Sequence, residues 1–141
     1  MELDYAFLAD AAQAERGKLH VLGGDIDRIW SKNFPFRHPH ITLIAKFILE
    51  PGELDRVHKL EIFLMDADGK KVIAANAEIS ASRNLQNESW RRQGVLLPPL
   101  NIVNMQFDSA GEYSFELVVD GRNMKSLPLR IISQVEEPAG A

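Results

Sequence analysis

Apolar and polar residues alternate with a period of two along several short stretches of the chain, the mark of strands with one buried face. The pattern is clearest from His58 to Ile79. Leu60, Ile62 and Leu64 alternate with Lys59, Glu61 and Phe63, and Ile73, Ala75, Ala77 and Ile79 alternate with Val72, Ala74, Asn76 and Glu78. Asp68-Gly69 lies between the two runs, a dipeptide that favours a two-residue type I′ turn. Such a turn sets Leu64 opposite Ile73, Ile62 opposite Ala75 and Leu60 opposite Ala77, all on one face. On the other face Lys59 falls opposite Glu78, and Phe63, Met65, Val72 and Ala74 gather beside the turn.

A second hairpin follows near the C-terminus. Tyr113, Phe115, Leu117 and Val119 precede Asp120-Gly121, and Leu127, Leu129 and Ile131 return. Both apolar sets are odd-numbered, so a two-residue loop alone would place them on opposite faces. The loop therefore holds an odd number of residues, most simply Asp120-Gly121-Arg122, or the ladder carries a bulge. Three loop residues set Phe115 opposite Leu127 and Glu112 opposite Arg130. Pro128 predicts an edge strand, because proline donates no ladder hydrogen bond.

Further strands are predicted at Leu3–Ala9, Lys18–Leu22, His40–Leu49 and Asn101–Phe107. His40–Leu49 is apolar on both parities, which places it centrally with both faces covered. Ala9–Arg16 is rich in alanine and is followed by Gly17, which predicts a turn or a single helical turn. Ser82–Gly94 is the longest polar stretch and predicts a surface loop. Seven to eight short strands with almost no helical period predict an all-β, antiparallel two-sheet sandwich over residues 1–134, with a closed barrel as the alternative. Residues 135–141 (VEEPAGA) read as a polar tail.

The 141 residues fit one domain, and the absence of cysteine excludes disulfides and thiolate metal sites. The net charge of −4, with both signs mixed along the chain, argues against a nucleic-acid partner. No apolar run reaches the roughly 20 residues of a membrane helix. The opening MELDYAFLAD lacks the basic region of a secretory signal, so a cytoplasmic setting is expected.

Asp108–Gly121 (DSAGEYSFELVVDG) resembles the turn and strand of immunoglobulin-like sandwiches in which a corner tyrosine begins an inner strand. The resemblance implies an immunoglobulin-like sandwich with the Tyr113 hydroxyl bonding back to upstream backbone. The cysteine pair and core tryptophan of antibody domains are missing. Tyr5–Ala12, Lys18–Ile29, Pro39-His40, Leu60–Gly69 and Ser126–Ile131 together resemble an uncharacterised family of short bacterial proteins. That resemblance implies no catalytic or ligand-binding residue.

Candidate chemistry is sparse. His38 and His40 flank Pro39 and project to one side of an extended strand, as two metal ligands would. The plainer reading is a proline-stiffened strand entrance. Gly23-Gly24-Asp25-Ile26-Asp27-Arg28 offers a paired carboxylate for hydrolysis at Asp25 and Asp27, with Arg28 beside them. The plainer reading is a bulge or tight bend. Trp90, Arg91 and Arg92 suit a partner or a carbohydrate-type ligand, although a tryptophan that merely anchors its loop explains them as well. Phe63, Met65 and Val72 form an oligomer patch unless Trp30, Phe34 or Phe36 covers it. No nucleophile triad, phosphate loop or HExxH motif occurs, and no cofactor is implied. The sequence thus predicts a non-catalytic domain acting through protein contacts, self-association included. The alternatives are a small-ligand module and an Asp25/Asp27 hydrolase.

Overall fold

A computed structural model describes residues 1–83 and 92–134. The described strands are β1 (Glu2–Glu15), β2 (Lys18–Gly24), β3 (Arg28–Ser31), β4 (Phe36–Leu49), β5 (His58–Met65), β6 (Lys71–Ile79), β7 (Gln93–Leu96), β8 (Leu100–Phe107), β9 (Gly111–Val119) and β10 (Arg122–Ser133), with a short 3₁₀ turn at Pro51–Glu53. They form two five-stranded sheets. Sheet A runs β2-β1-β4, with β7 and β8 both paired to the far side of β4. Sheet B runs β3-β10-β9-β5-β6. The fold is the predicted two-sheet sandwich, with ten described strands where seven to eight were expected and one parallel pair, β3 with β10, in an otherwise antiparallel arrangement.

Alternation places the core. Leu43, Ala45, Phe47 and Leu49 of β4 face Leu60, Ile62 and Leu64 of β5, Phe115 and Leu117 of β9, and Leu127 and Leu129 of β10 in one buried cluster. At roughly 25 cal/mol per Å² of buried apolar surface, this cluster is the main source of stability. As its two-sided apolar pattern predicts, β4 is central, and Thr42 and Ile44 on its outer side are also fully buried. A bulge between Leu3 and Tyr5 lets odd-numbered Leu3 and even-numbered Ala6 and Leu8 share the core face.

Four expectations need correction, and one choice between alternatives is decided. Ala9–Arg16 is not helical: β1 continues to Glu15, and Arg16-Gly17 turns the chain with φ of 50° and 73°. Pairing with β2 overrides the helix propensity of a segment too short to be helical alone. The first hairpin does not turn in two residues at Asp68-Gly69. The Asp66 N–H donates to the Lys70 carbonyl and the Gly69 N–H to the Asp66 carbonyl, leaving a three-residue loop with Gly69 at φ 85°. A bulge at Ala74 then restores the predicted pairs Ile62–Ala75, Leu60–Ala77 and Lys59–Glu78, while Leu64 meets Val72 and Phe63 meets Ile73. The second hairpin takes the bulge rather than the longer loop. Asp120 and Gly121, at φ 48° and 83°, make a two-residue turn, and a bulge at Met124 restores Phe115–Leu127 and Glu112–Arg130. Strand β10 is not an edge along its whole length, because β3 pairs with it in parallel over Arg130–Ser133. Pro128 lies just before that stretch. Finally, Trp30, Phe34 and Phe36 do not cover Phe63 and Met65. Trp30 lies on β3, at the opposite edge of sheet B from β6, and Phe34 and Phe36 pack toward the core beside Phe107.

Candidate interaction surface

Strand β1 leaves β4 after Ala9, and from Ala11 onward it pairs, among the described residues, only with β2. The result is a two-stranded ribbon that is exposed over most of its length, with Leu22 72% and Val21 39% exposed. Such a ribbon is marginal without a packing layer. Its base is held closely. The Asp10 carboxyl occupies the place a side chain at Gly23 would take, and Gly23 itself sits at φ 62°. His40 contacts the Asp10 carbonyl (2.9 Å) and Asn101 Oδ1 (3.1 Å).

The exposed aliphatic and aromatic side chains follow the sheet edges. Val21 and Leu22 lie on β2, Trp30 on β3, Val72 and Ile73 on β6, and Val103 on β8. These are six of the eight large hydrophobic residues exposed among the described residues; Tyr5 and Val57 are the others. Edge strands carry unpaired backbone donors and acceptors, so an apolar edge is a template for another strand.

The outer face of sheet B adds a polar centre beside the apolar edge. Glu116 is 4% exposed and lies opposite Phe63 and Ser126. Its carboxylate accepts from Ser114 (3.0 Å), Asn123 (3.1 Å) and Ser126. Burial pushes this carboxyl up, but the bonds from Ser126, Asn123 and Ser114, with nearby Lys71, outweigh it and hold it below the usual range. Phe63 and Met65 are half-buried next to it, and Ile73 is 57% exposed.

At one end of the sandwich His58 is 4% exposed, its Nδ1 3.0 Å from Asp120 Oδ2 and its Nε2 2.9 Å from the Glu53 carbonyl. Asp120 also accepts the Lys59 N–H (2.9 Å). That backbone bond first, and the His58 ring second, lower its carboxyl below the ordinary value. These contacts tie the β9–β10 turn to the start of β5. At the opposite end, Leu64, Asp66, Val72, Gln106 and Tyr113 line an open cleft of about 290 Å³, near the lower limit for a ligand site. Three of the four carboxylates that line it are engaged locally: Asp66 caps the Asp68 and Lys70 N–H groups, Asp108 accepts from Gln106, and Glu112 pairs with Arg130 at 3.2 Å.

A family model described as a family of unknown function (DUF6941) matches residues 4–132. The chain belongs to that family. No curated protein and no solved structure matches it.

In this DUF6941 chain the residues singled out by sequence scatter. Asp25 and Asp27 are both exposed, and Asp27 pairs with Arg28 at 3.3 Å. Their segment carries the chain from one sheet to the other. The Ile26 N–H donates to the Leu8 carbonyl in sheet A, and the Asp27 carbonyl accepts from the Arg130 N–H in sheet B. His38 lies opposite Met105 with its ring against Phe36, and burial lowers its pKa. His40 lies opposite exposed Val103. Among the described residues no cluster of three or more His, Cys, Asp or Glu side chains has metal-holding geometry. Trp90 and Arg91 fall outside the described residues, while Arg92 reaches Glu2 (2.8 Å) and Glu50 (3.5 Å). Of the proposed patch, Phe63 and Met65 share the outer face with Ile73. Val72 is opposite Leu64 and looks toward the cleft. Ile73, Leu22 and the contact between buried His58 and exposed Asp120 were missed. An unbroken count across the bulge hid Ile73, and the helical reading of Ala9–Arg16 hid the ribbon that exposes Leu22.

Proposed function

We propose that this DUF6941 protein is a non-catalytic β-sandwich that works through protein–protein contacts at its sheet edges, with self-association as the primary contact. The observation that carries this reading is the placement of Val21, Leu22, Trp30, Val72, Ile73 and Val103 on the edge strands, where natural sandwiches ordinarily set charges or proline. Nothing in the family match or in the described side chains indicates catalysis. An immunoglobulin-like topology has two supports. The Tyr113 hydroxyl donates to the Ser109 carbonyl (2.6 Å) at the start of β9. The strand orders β1-β4-β8 and β10-β9-β5-β6 parallel the two sheets of those domains. A cytoplasmic setting accords with the cysteine-free chain.

Sedimentation velocity and light scattering on the full chain, over a hundredfold range of concentration, test the proposal. The expected result is a mean mass that rises with concentration above that of one chain. A single-chain mass throughout the range would refute self-association.

A further inference from the structure

Four edges compete to be the contact between copies, and they are not equal. Strand β3 has four residues. Strand β8 carries Asn104 at φ 52° in its middle, and β2 ends in Gly23-Gly24 with Gly23 at φ 62°. Strand β6 is nine residues long, has a neighbour on only one side among the described residues, and carries Lys71 near one end and Glu78 near the other.

The bulge gives β6 a further property. Residues 71 and 73 share the outer face with Met65 and Phe63, and residues 76 and 78 share it with Glu61 and Lys59. Ala74, the extra residue, shifts the alternation by one in the middle of the strand. The outward set is therefore Lys71, Ile73, Asn76 and Glu78, which is symmetric about the Ala74-Ala75 bond. Laid antiparallel on a second β6, this set meets itself. Lys71 faces the second copy's Glu78, Ile73 its Asn76, Val72 its Ala77 and Ala74 its Ala75, with every opposed pair on the same side of the joined sheet. Strict alternation without the bulge would set Lys71 against Ile79. Lys71, Val72, Ile73, Asn76 and Glu78 are exposed. Lys59, which lies opposite Glu78, reaches Glu61 instead (4.0 Å), and Glu78 has no ion-pair partner among the described residues.

From these observations we infer that β6 pairs antiparallel with β6 of a second copy, joining two B sheets into one ten-stranded sheet, with Lys71 and Glu78 setting the register. This inference rests on the self-association proposed above and names its interface. The two-fold axis runs between the paired Ala74-Ala75 segments, so the two bulges meet at the centre rather than interrupting the ladder at two places. Ile73 and Val72 leave water on both faces.

Charge swapping tests it. The dimer dissociation constant is measured by sedimentation equilibrium for the full-length wild type, K71E, E78K and the double variant K71E/E78K. Each single reversal sets like charges opposite one another twice per dimer and is expected to weaken association about tenfold. The double variant restores opposite charges and is expected to return within about twofold of wild type. Both positions are exposed, and a circular dichroism spectrum unchanged from wild type verifies each fold. Because Lys71 also lies near Glu116, E78K is the cleaner single variant. Association that E78K leaves unchanged, or that the double variant fails to restore, overturns the β6 interface while leaving self-association standing. A wild type that is monomeric at every concentration overturns both.

Discussion

The two hairpins of sheet B share an Asp-Gly dipeptide and form different loops. In β9–β10 the dipeptide is the whole turn, with both residues in the left-handed region. Asp120 is pinned there from outside by the Lys59 backbone and the His58 ring. In β5–β6 the chain turns earlier, because the Asp66 carboxylate captures the Asp68 and Lys70 N–H groups (3.0 and 2.9 Å) and Gly69 alone supplies the positive φ. Each hairpin then carries one bulge, at Met124 or Ala74, that returns its apolar residues to the core. Loop length is thus set by the side chain that reaches the free turn amides. Burial of the apolar face sets the final register, and the bulge absorbs the difference.

Substitutions can break or sharpen this comparison. Leu64→Ala, in the inner row of the first hairpin, should cost about 2–5 kcal/mol as a core cavity. An unmoved denaturant midpoint would mean that β5 does not bury this row. Gly121→Ala and Gly69→Ala each force a left-handed residue to carry a Cβ and should each lose about 1–2 kcal/mol. If Gly69→Ala were neutral in thermal melts, the three-residue loop would be wrong. Tyr113→Phe removes the hydroxyl bond to Ser109 at the far end of the second hairpin and should cost about 1 kcal/mol in a denaturant titration. Glu112→Gln, in an ion pair with both partners about two-thirds exposed, should change stability by less than about 1 kcal/mol.

Acid titration tests the aspartate that holds the second turn. The Asp120 carboxyl is lowered in the folded chain, so its contribution is fully present above the ordinary carboxylate value near 3.9 and is lost as pH falls through the folded value. Asp120→Asn should therefore flatten the acid limb of the stability–pH curve below about pH 4 and leave the neutral limb's shape unchanged. Glu116 acts in the same direction for the same reason. An acid limb in Asp120→Asn superimposable on wild type would show that the Lys59 and His58 bonds do not favour the charged carboxylate.

Much of the fold was legible because period-two alternation and burial report the same fact. Strand β4 and the inner rows of β5, β9 and β10 were readable on that basis, whereas the Tyr113 corner was expected only from the resemblance to immunoglobulin-like strands. What escaped were the places where backbone geometry changes parity. A bulge leaves no residue signature at Ala74 or Met124, and its presence in the second hairpin was inferable only as one of two ways to reconcile two odd-numbered rows. Strand β3 was hidden because four residues pairing in parallel with a strand a hundred positions later produce no local pattern. The surface was harder still. Exposure at an edge depends on which strands end the sheets, and strand order is not written in any one segment. Ile73 therefore read as part of an inner row, and Leu22 as one more residue at the end of a strand.

Sheet B draws on distant parts of the chain: β5 is flanked by β9, and β3 rests on the last strand, β10. During synthesis β3 and β5 leave the ribosome long before β9 and β10 exist, so half of the sandwich must wait, its oily side uncovered, until β10 has emerged. The pairing of β1 with β4 in sheet A is available much sooner. The nascent protein should therefore close from sheet A outward, and shortening the C-terminus into β10 should harm its solubility far more than the few residues removed would suggest.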